Sequence, residues 1–199
     1  ASVETAQTSP EFRDECYRCF RAASVCICDR VPQVANRTEI IVLQHHRELL
    51  HPIGTARIAR LALKKVQVSV AHRYAKLAVQ PVTETGAALL YPHPQASNLD
   101  DLKPAEFPDQ LVVLDGTWSQ ASAMYRANPW LGQLRHLVIQ PKSASNYRIR
   151  RQPKAGCLST IEAIVHALNI FEPATHGLPE LLDVFDHMVD QQLGHYRPA

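Results

Sequence analysis

The sequence predicts an α/β domain with a mainly parallel sheet. Two patterns carry that prediction. Apolar runs of strand length alternate with amphipathic helical segments, and the run Leu111 to Leu114 sets four aliphatics in succession, as in a strand buried on both faces. A chain of 199 residues is long enough for one substantial core and a small appendage. The polar start ASVETAQTSP has no signal-peptide apolar segment, and no apolar stretch approaches the roughly 20 residues that span a bilayer. A soluble, cytoplasmic protein without a membrane partner is therefore expected.

Residues 1–32 read as a tail and a cysteine segment, and residues 33–199 as the main domain. Four of the five cysteines fall in CYRCFRAASVCIC: Cys16, Cys19, Cys26 and Cys28. Thiolate pairs this close can converge on one tetrahedral ion, and zinc is the usual occupant. A disulfide framework is disfavoured in a reducing compartment; a redox-active or fortuitous cluster is the competing reading. Four thiolates leave a metal no open position, so the expected role is in folding. Cys157 stands apart and reads as a small buried residue.

After a turn at Pro32, TEIIVLQ (38–44) predicts a strand ending at Gln44, His45 and His46. In HPIGTARIARLAL (51–63), Ile53, Ile58 and Leu61 with the alanines suit a helix packed on a sheet. Val66, Val68 and Val70 alternate as in a strand, and Ala87 to Tyr91 predicts another. Prolines and acids from Tyr91 to Pro108 predict a surface loop. Beyond the strand at 111–114, Asp115 falls at the edge where parallel sheets bind ligands, and Gly116 allows a sharp turn. Asp-Gly is also an ordinary turn, and Thr117 can simply cap the helix running to about Ala127. A short strand over 136–140 precedes the polar loop PKSASNYRIRRQPKAG (141–156), a length of irregular chain that is often functional. Helices over 159–171 and 179–194 close the chain.

The formal net charge of +2 hides an uneven distribution. From Gly116 to Ile161 there is no acid, whereas Arg126, Arg135, Lys142, Arg148, Arg150, Arg151 and Lys154 supply seven cations. Residues 162–199 hold six acids against Arg197, a local charge of −5. The asymmetry points to an anionic partner on one face, with a solvated charged surface as the alternative.

The four cysteines, QHHRE at 44–48, DGTW at 115–118, YRIRRQP at 147–153 and LSTIEA at 158–163, in this order, resemble the DTW-domain family. Gly116 occupies the variable position of an Asp-x-Thr-Trp pattern. The resemblance implies a tRNA-uridine aminocarboxypropyltransferase. Such an enzyme moves the 3-amino-3-carboxypropyl (acp) group of S-adenosylmethionine (SAM) to N3 of a tRNA uridine, at position 47 of the variable loop in bacterial members. The family is also similar to the knotted SPOUT-like methyltransferases, which implies a C-terminal trefoil that periodicity does not show. A SAM-dependent RNA methyltransferase and a non-enzymatic zinc RNA-binding module are the rival functions.

Under that resemblance Asp115 is the candidate acceptor of the N3 proton or the group that orients the uridine. Thr117 and Trp118 begin the helix beside it; the indole can stack on a base or on adenine, or merely pack. Ser159, Thr160 and Glu162 form a capping-box pattern. A helix start suits an anionic or adenine group, so Leu158, Ser159 and Thr160, with Leu114 and Gln140, are expected to line the cofactor pocket. His45 approaches it or is structural. Lys142, Tyr147, Arg148, Arg150, Arg151 and Lys154 are expected to meet tRNA, one arginine instead pairing with the SAM carboxylate. Arg18 and Arg21 are candidates to steer tRNA from the zinc segment. Both a monomer and a homodimer fit the sequence.

Overall fold

A computed structural model describes residues 14–72, 75–78, 80, 82, 86–140, 145–146, 148 and 157–195. Six strands form one sheet: β1 (Glu39–His45), β2 (Val66–Ala71), β3 (Ala87–Leu90), β4 (Ser97–Asn98), β5 (Gln110–Asp115) and β6 (Arg135–Val138). Their order is β2-β1-β5-β3-β6-β4, and every pairing among them is parallel. The buried central strand explains the unbroken aliphatic run at 111–114, because β5 has β1 and β3 beside it and an apolar layer on each face.

Helices α1 (Ala56–Ala62), α3 (Thr160–Phe171) and α4 (Leu178–His195) share one core with the inward residues Ile40, Val42, Leu111, Val113 and Leu137. On the opposite face Ile41, Leu43, Leu89 and Val112 pack with Leu131 and Tyr125, the latter from α2 (Trp118–Ala127). Cys19 and Ile27, both fully buried, belong to the first core, so the cysteine segment is packed into the domain.

Capping fixes where the two site helices start. Thr117 accepts from Gln120 N and Ser159 from Glu162 N, and each partner's side chain returns to the backbone N–H of its cap. Glu162 further accepts from Ser145 Oγ at 2.6 Å and from Asn146 N at 2.9 Å, fastening the preceding loop to the head of α3.

Three sequence expectations are corrected. The stretch 91–108 contains the short edge strand β4 and two 3-10 turns, hidden from the sequence because two residues cannot show a period. The helix expected from residue 51 begins at Ala56, since residues 46–50 and 52–53 are turns. The strand at 136–140 lies one residue earlier and ends at Val138.

Candidate active site

Asp115 ends β5 at the carboxyl edge of the sheet, with only 5% of its surface exposed. Gln44 lies in register with it on β1 and donates its amide to Oδ2 at 2.8 Å. Thr160, in the first turn of α3, donates its hydroxyl to Oδ1 at 2.5 Å. Gly116 follows because the turn has no room for more: a Cβ there would stand 3.0 Å from both Cβ and Oε1 of Gln120 and 3.4 Å from His45 Cβ. Gln120 Oε1 is itself committed, accepting from Thr117 N at 2.5 Å.

Beside this turn lies a cavity of about 180 Å³. Leu90 at the end of β3 with Tyr91 beyond it, Val113 and Leu114 of β5 and Leu137 to Ile139 supply apolar walls. The segment Cys157 to Thr160 supplies a polar rim at the head of α3, and Trp118, 46% exposed, stands on the other side. Tyr91 stacks on Tyr125 at 4.6 Å, and the Tyr125 hydroxyl meets His136 Nε2 at 3.0 Å, which fixes that wall. Burial, then the neighbouring His93, holds the His136 imidazole below its ordinary pKa. Burial likewise lowers His45, followed by the charges of His46 and Arg47.

The Sγ atoms of Cys16, Cys19, Cys26 and Cys28 all lie within 4.8 Å of one another, with Cys16 to Cys28 at 3.6 Å and Cys19 to Cys26 at 3.8 Å. A tetrahedron with Zn–S bonds of about 2.3 Å has S···S edges of about 3.8 Å, so the donor set fits zinc. Backbone N–H groups of Cys19 and Arg18 lower the Cys16 thiol to about 6. Cys28 is pushed the other way by burial and the adjoining sulfurs, a conflict that a bound cation would relieve. Arg57 Nη1 donates to Cys19 O at 2.6 Å and Nη2 to His51 O, joining this cluster to α1.

A family profile described as DTW domain matches residues 13–193. The chain belongs to the DTW domain family. It is 33% identical to "tRNA-uridine aminocarboxypropyltransferase 2" of Drosophila melanogaster over 82% of this chain and 68% of that protein. The proteins of the same name from Macaca fascicularis and Mus musculus are each 30% identical, over 97% and 93% of this chain and 67% and 65% of theirs. The DTW chain thus spans about two thirds of the length of these relatives. No solved structure matches it significantly.

Within this DTW domain the structure brings Leu114, Gly116, Trp118, Leu158, Ser159 and Thr160 around one cavity. Asp115 lies beneath its rim, bonded to Thr160. Thr117 caps α2, His45 packs behind Gly116, and the exposed Gln140 stands off the lining, where Val138 and Ile139 take its place. Arg148 bonds Asp190 Oδ1 of α4 at 2.6 Å and remains half exposed. Lys142, Tyr147, Arg150, Arg151 and Lys154 lie outside the described residues.

Arg21 corrects an expectation. It is buried, bonding Val25 O and Gln191 Oε1, so it braces the cysteine segment and is not a free cation. Sequence reasoning missed Tyr91 and Cys157 as cavity residues. Tyr91 adjoined the stretch read as loop, and a lone cysteine carries no spacing signal.

Proposed function

We propose that the chain is a tRNA-uridine aminocarboxypropyltransferase. It transfers the acp group of SAM to N3 of uridine 47 in the variable loop of tRNA, giving acp3U and methylthioadenosine. The observation that carries this reading is the position of Asp-Gly-Thr-Trp beside an apolar cavity at the carboxyl edge, in a chain of this family. The names of the relatives agree with it.

Leu114, Leu158, Ser159 and Thr160 would hold SAM, the apolar walls suiting its adenosine and the polar rim of α3 its charged end. When bound, that group supplies an electrophilic methylene activated by a sulfonium. The protein's task is then to orient uridine N3, whose proton passes to water as the N3–carbon bond forms and the carbon–sulfur bond to methylthioadenosine breaks. Asp115 is assigned to orientation, because both of its oxygens already receive donors and its surface is buried. Trp118, half exposed, offers a face to a base. Lys142, Tyr147, Arg148, Arg150, Arg151 and Lys154 are assigned to tRNA, and phosphate contacts of this kind make binding weaken as salt rises. Turning the uridine out of folded tRNA costs a few kcal/mol, which those contacts help offset.

The four cysteines are assigned a structural zinc, residues 33–199 the catalytic unit, and the C-terminal part a SPOUT-like trefoil. The family membership and the all-parallel sheet support that last assignment. Cytoplasmic location accords with a tRNA substrate, and the chain is expected to act as a monomer or homodimer. Among the described residues no helix is long and apolar enough to cross a membrane.

The test is incubation of the metal-replete protein with SAM and unmodified tRNA transcript, followed by mass spectrometry of nucleosides and small products. An acp increment on uridine with methylthioadenosine is expected. A methyl increment with adenosylhomocysteine would replace the proposal with a methyltransferase.

A further inference from the structure

A second cavity, of about 240 Å³, opens on the same sheet edge, between the cysteine segment and the ends of β1 and β2. Phe20, Gln44, Leu49, Arg57, Arg60 and Val70 line it. One side chain bonds to the linings of both cavities. Asp115 receives Thr160, which lines the first, on Oδ1 and Gln44, which lines the second, on Oδ2. Asp115, Gln44 and Val70 also occupy one register row across β5, β1 and β2.

The chemistry of this second cavity is distinctive. Phe20 sits at φ 53°, in the left-handed region where a bulky residue is strained and glycine is the natural occupant. The ring is 37% exposed, and the Arg60 guanidinium stands over it at 5.1 Å. Arg60 is positioned by a bond to Arg18 O. Leu49 and Val70 add exposed apolar surface at 42% and 39%. No acid is among the described lining residues. A strained, exposed aromatic beside the Arg60 guanidinium persists only where the surroundings hold it, and such residues concentrate at binding sites.

We infer that this cavity is a nucleotide subsite for the RNA substrate, with Phe20 stacking on an unpaired base and Arg60 meeting its phosphate. The inference rests on the proposed tRNA activity for its ligand class. An aromatic face with an arginine is the recurring combination by which proteins hold single-stranded nucleotides. The Gln44–Asp115 contact links the subsite to the reacting edge, so the occupant is a base next to the modified uridine.

The test uses the full, metal-replete chain and unmodified tRNA transcript, with Kd measured directly by fluorescence anisotropy in Phe20→Leu, Phe20→Tyr and Arg60→Gln. Leucine and tyrosine keep the side chain bulky, and only tyrosine keeps the π face. Phe20→Leu is expected to weaken tRNA binding roughly 5- to 150-fold, the range for loss of one base stack. Arg60→Gln should weaken it about tenfold with a shallower salt dependence, and Phe20→Tyr should stay within about twofold. SAM affinity and zinc stoichiometry should not change. Unchanged tRNA affinity in folded Phe20→Leu overturns the subsite, as does loss of affinity accompanied by loss of zinc. A shift from dimer to monomer in these variants would instead make the cavity an interface between copies.

If Phe20→Leu does not fold, 4-thiouridine tRNA photocrosslinked to the wild-type chain decides the matter. Adducts on residues 17–21 support the subsite, and adducts confined elsewhere refute it. Because binding is read without turnover, tRNA held through Phe20 in a chain that makes no acp product would refute the transfer reading and leave the subsite standing.

Discussion

Thr160 and Asp115, 45 residues apart, share a 2.5 Å hydrogen bond that ties the first turn of α3 to the end of β5. The bond couples a wall of the cavity proposed to hold SAM to the residue proposed to orient the uridine. In Thr160→Val the hydroxyl donor to Oδ1 is lost in a buried setting. A loss of about 1–3 kcal/mol is expected, or roughly 2–12 °C in Tm. Thr160→Ser should restore most of it in thermal unfolding. Asp115→Asn should reduce acp transfer about 100-fold or more, since its amide would face the donor of Thr160 or of Gln44 and shift the edge. Product yield per tRNA measures this.

Gly116→Ala introduces a Cβ 3.0 Å from Gln120, whose side chain is held by its bond to Thr117 N. Overpacking of this kind costs about 1–3 kcal/mol. Urea unfolding should register that loss. Transfer should fall by more than stability accounts for, because the displaced turn carries Trp118.

Metal analysis should give one zinc per chain. Stripping it with a chelator leaves four crowded sulfurs packed on the main core and should destabilise the fold by several kcal/mol, upward of roughly 10 °C. Zinc re-addition should reverse the shift, and Cys26→Ser should reproduce it. An unchanged melting curve after verified removal would refute a structural metal.

Acid should weaken the fold through His136. Its folded pKa is depressed by burial, so the unfolded chain binds more protons once pH falls below about 6.5. The contribution is fully present above that value and is lost as pH falls toward the folded pKa. Melting temperature should therefore drop from pH 7 to pH 5, and His136→Gln should flatten that drop while lowering Tm at pH 7 through the lost Tyr125 contact.

The fold was legible where apolar residues ran together or alternated: Leu111 to Leu114, Val66 to Val70 and the two closing helices form the elements they predict. The capping box of Ser159 and Glu162 was legible too, because it depends on residues three apart. Arg21 was not, since a cation that reaches distant carbonyl and amide oxygens looks like any surface cation in one dimension. The same reason hid the split of Asp115 between Gln44 and Thr160. Partners separated by 71 and 45 residues leave no local trace, although each lay in a segment already singled out. Nor could composition show that part of the acidic tail answers the basic loop internally, as Asp190 does with Arg148.

The Arg21–Gln191 contact joins positions 170 residues apart. During synthesis the cysteine segment leaves the ribosome well before Gln191 does, so this brace is made late relative to the segment it holds. The four thiolates can gather a metal before that brace exists, and the ion would then hold the early segment in order while the sheet accumulates. Closure of the core waits for the final helix. The cysteine segment is thus made well before the helix that braces it, a long-range order that makes slow, late consolidation the expected course.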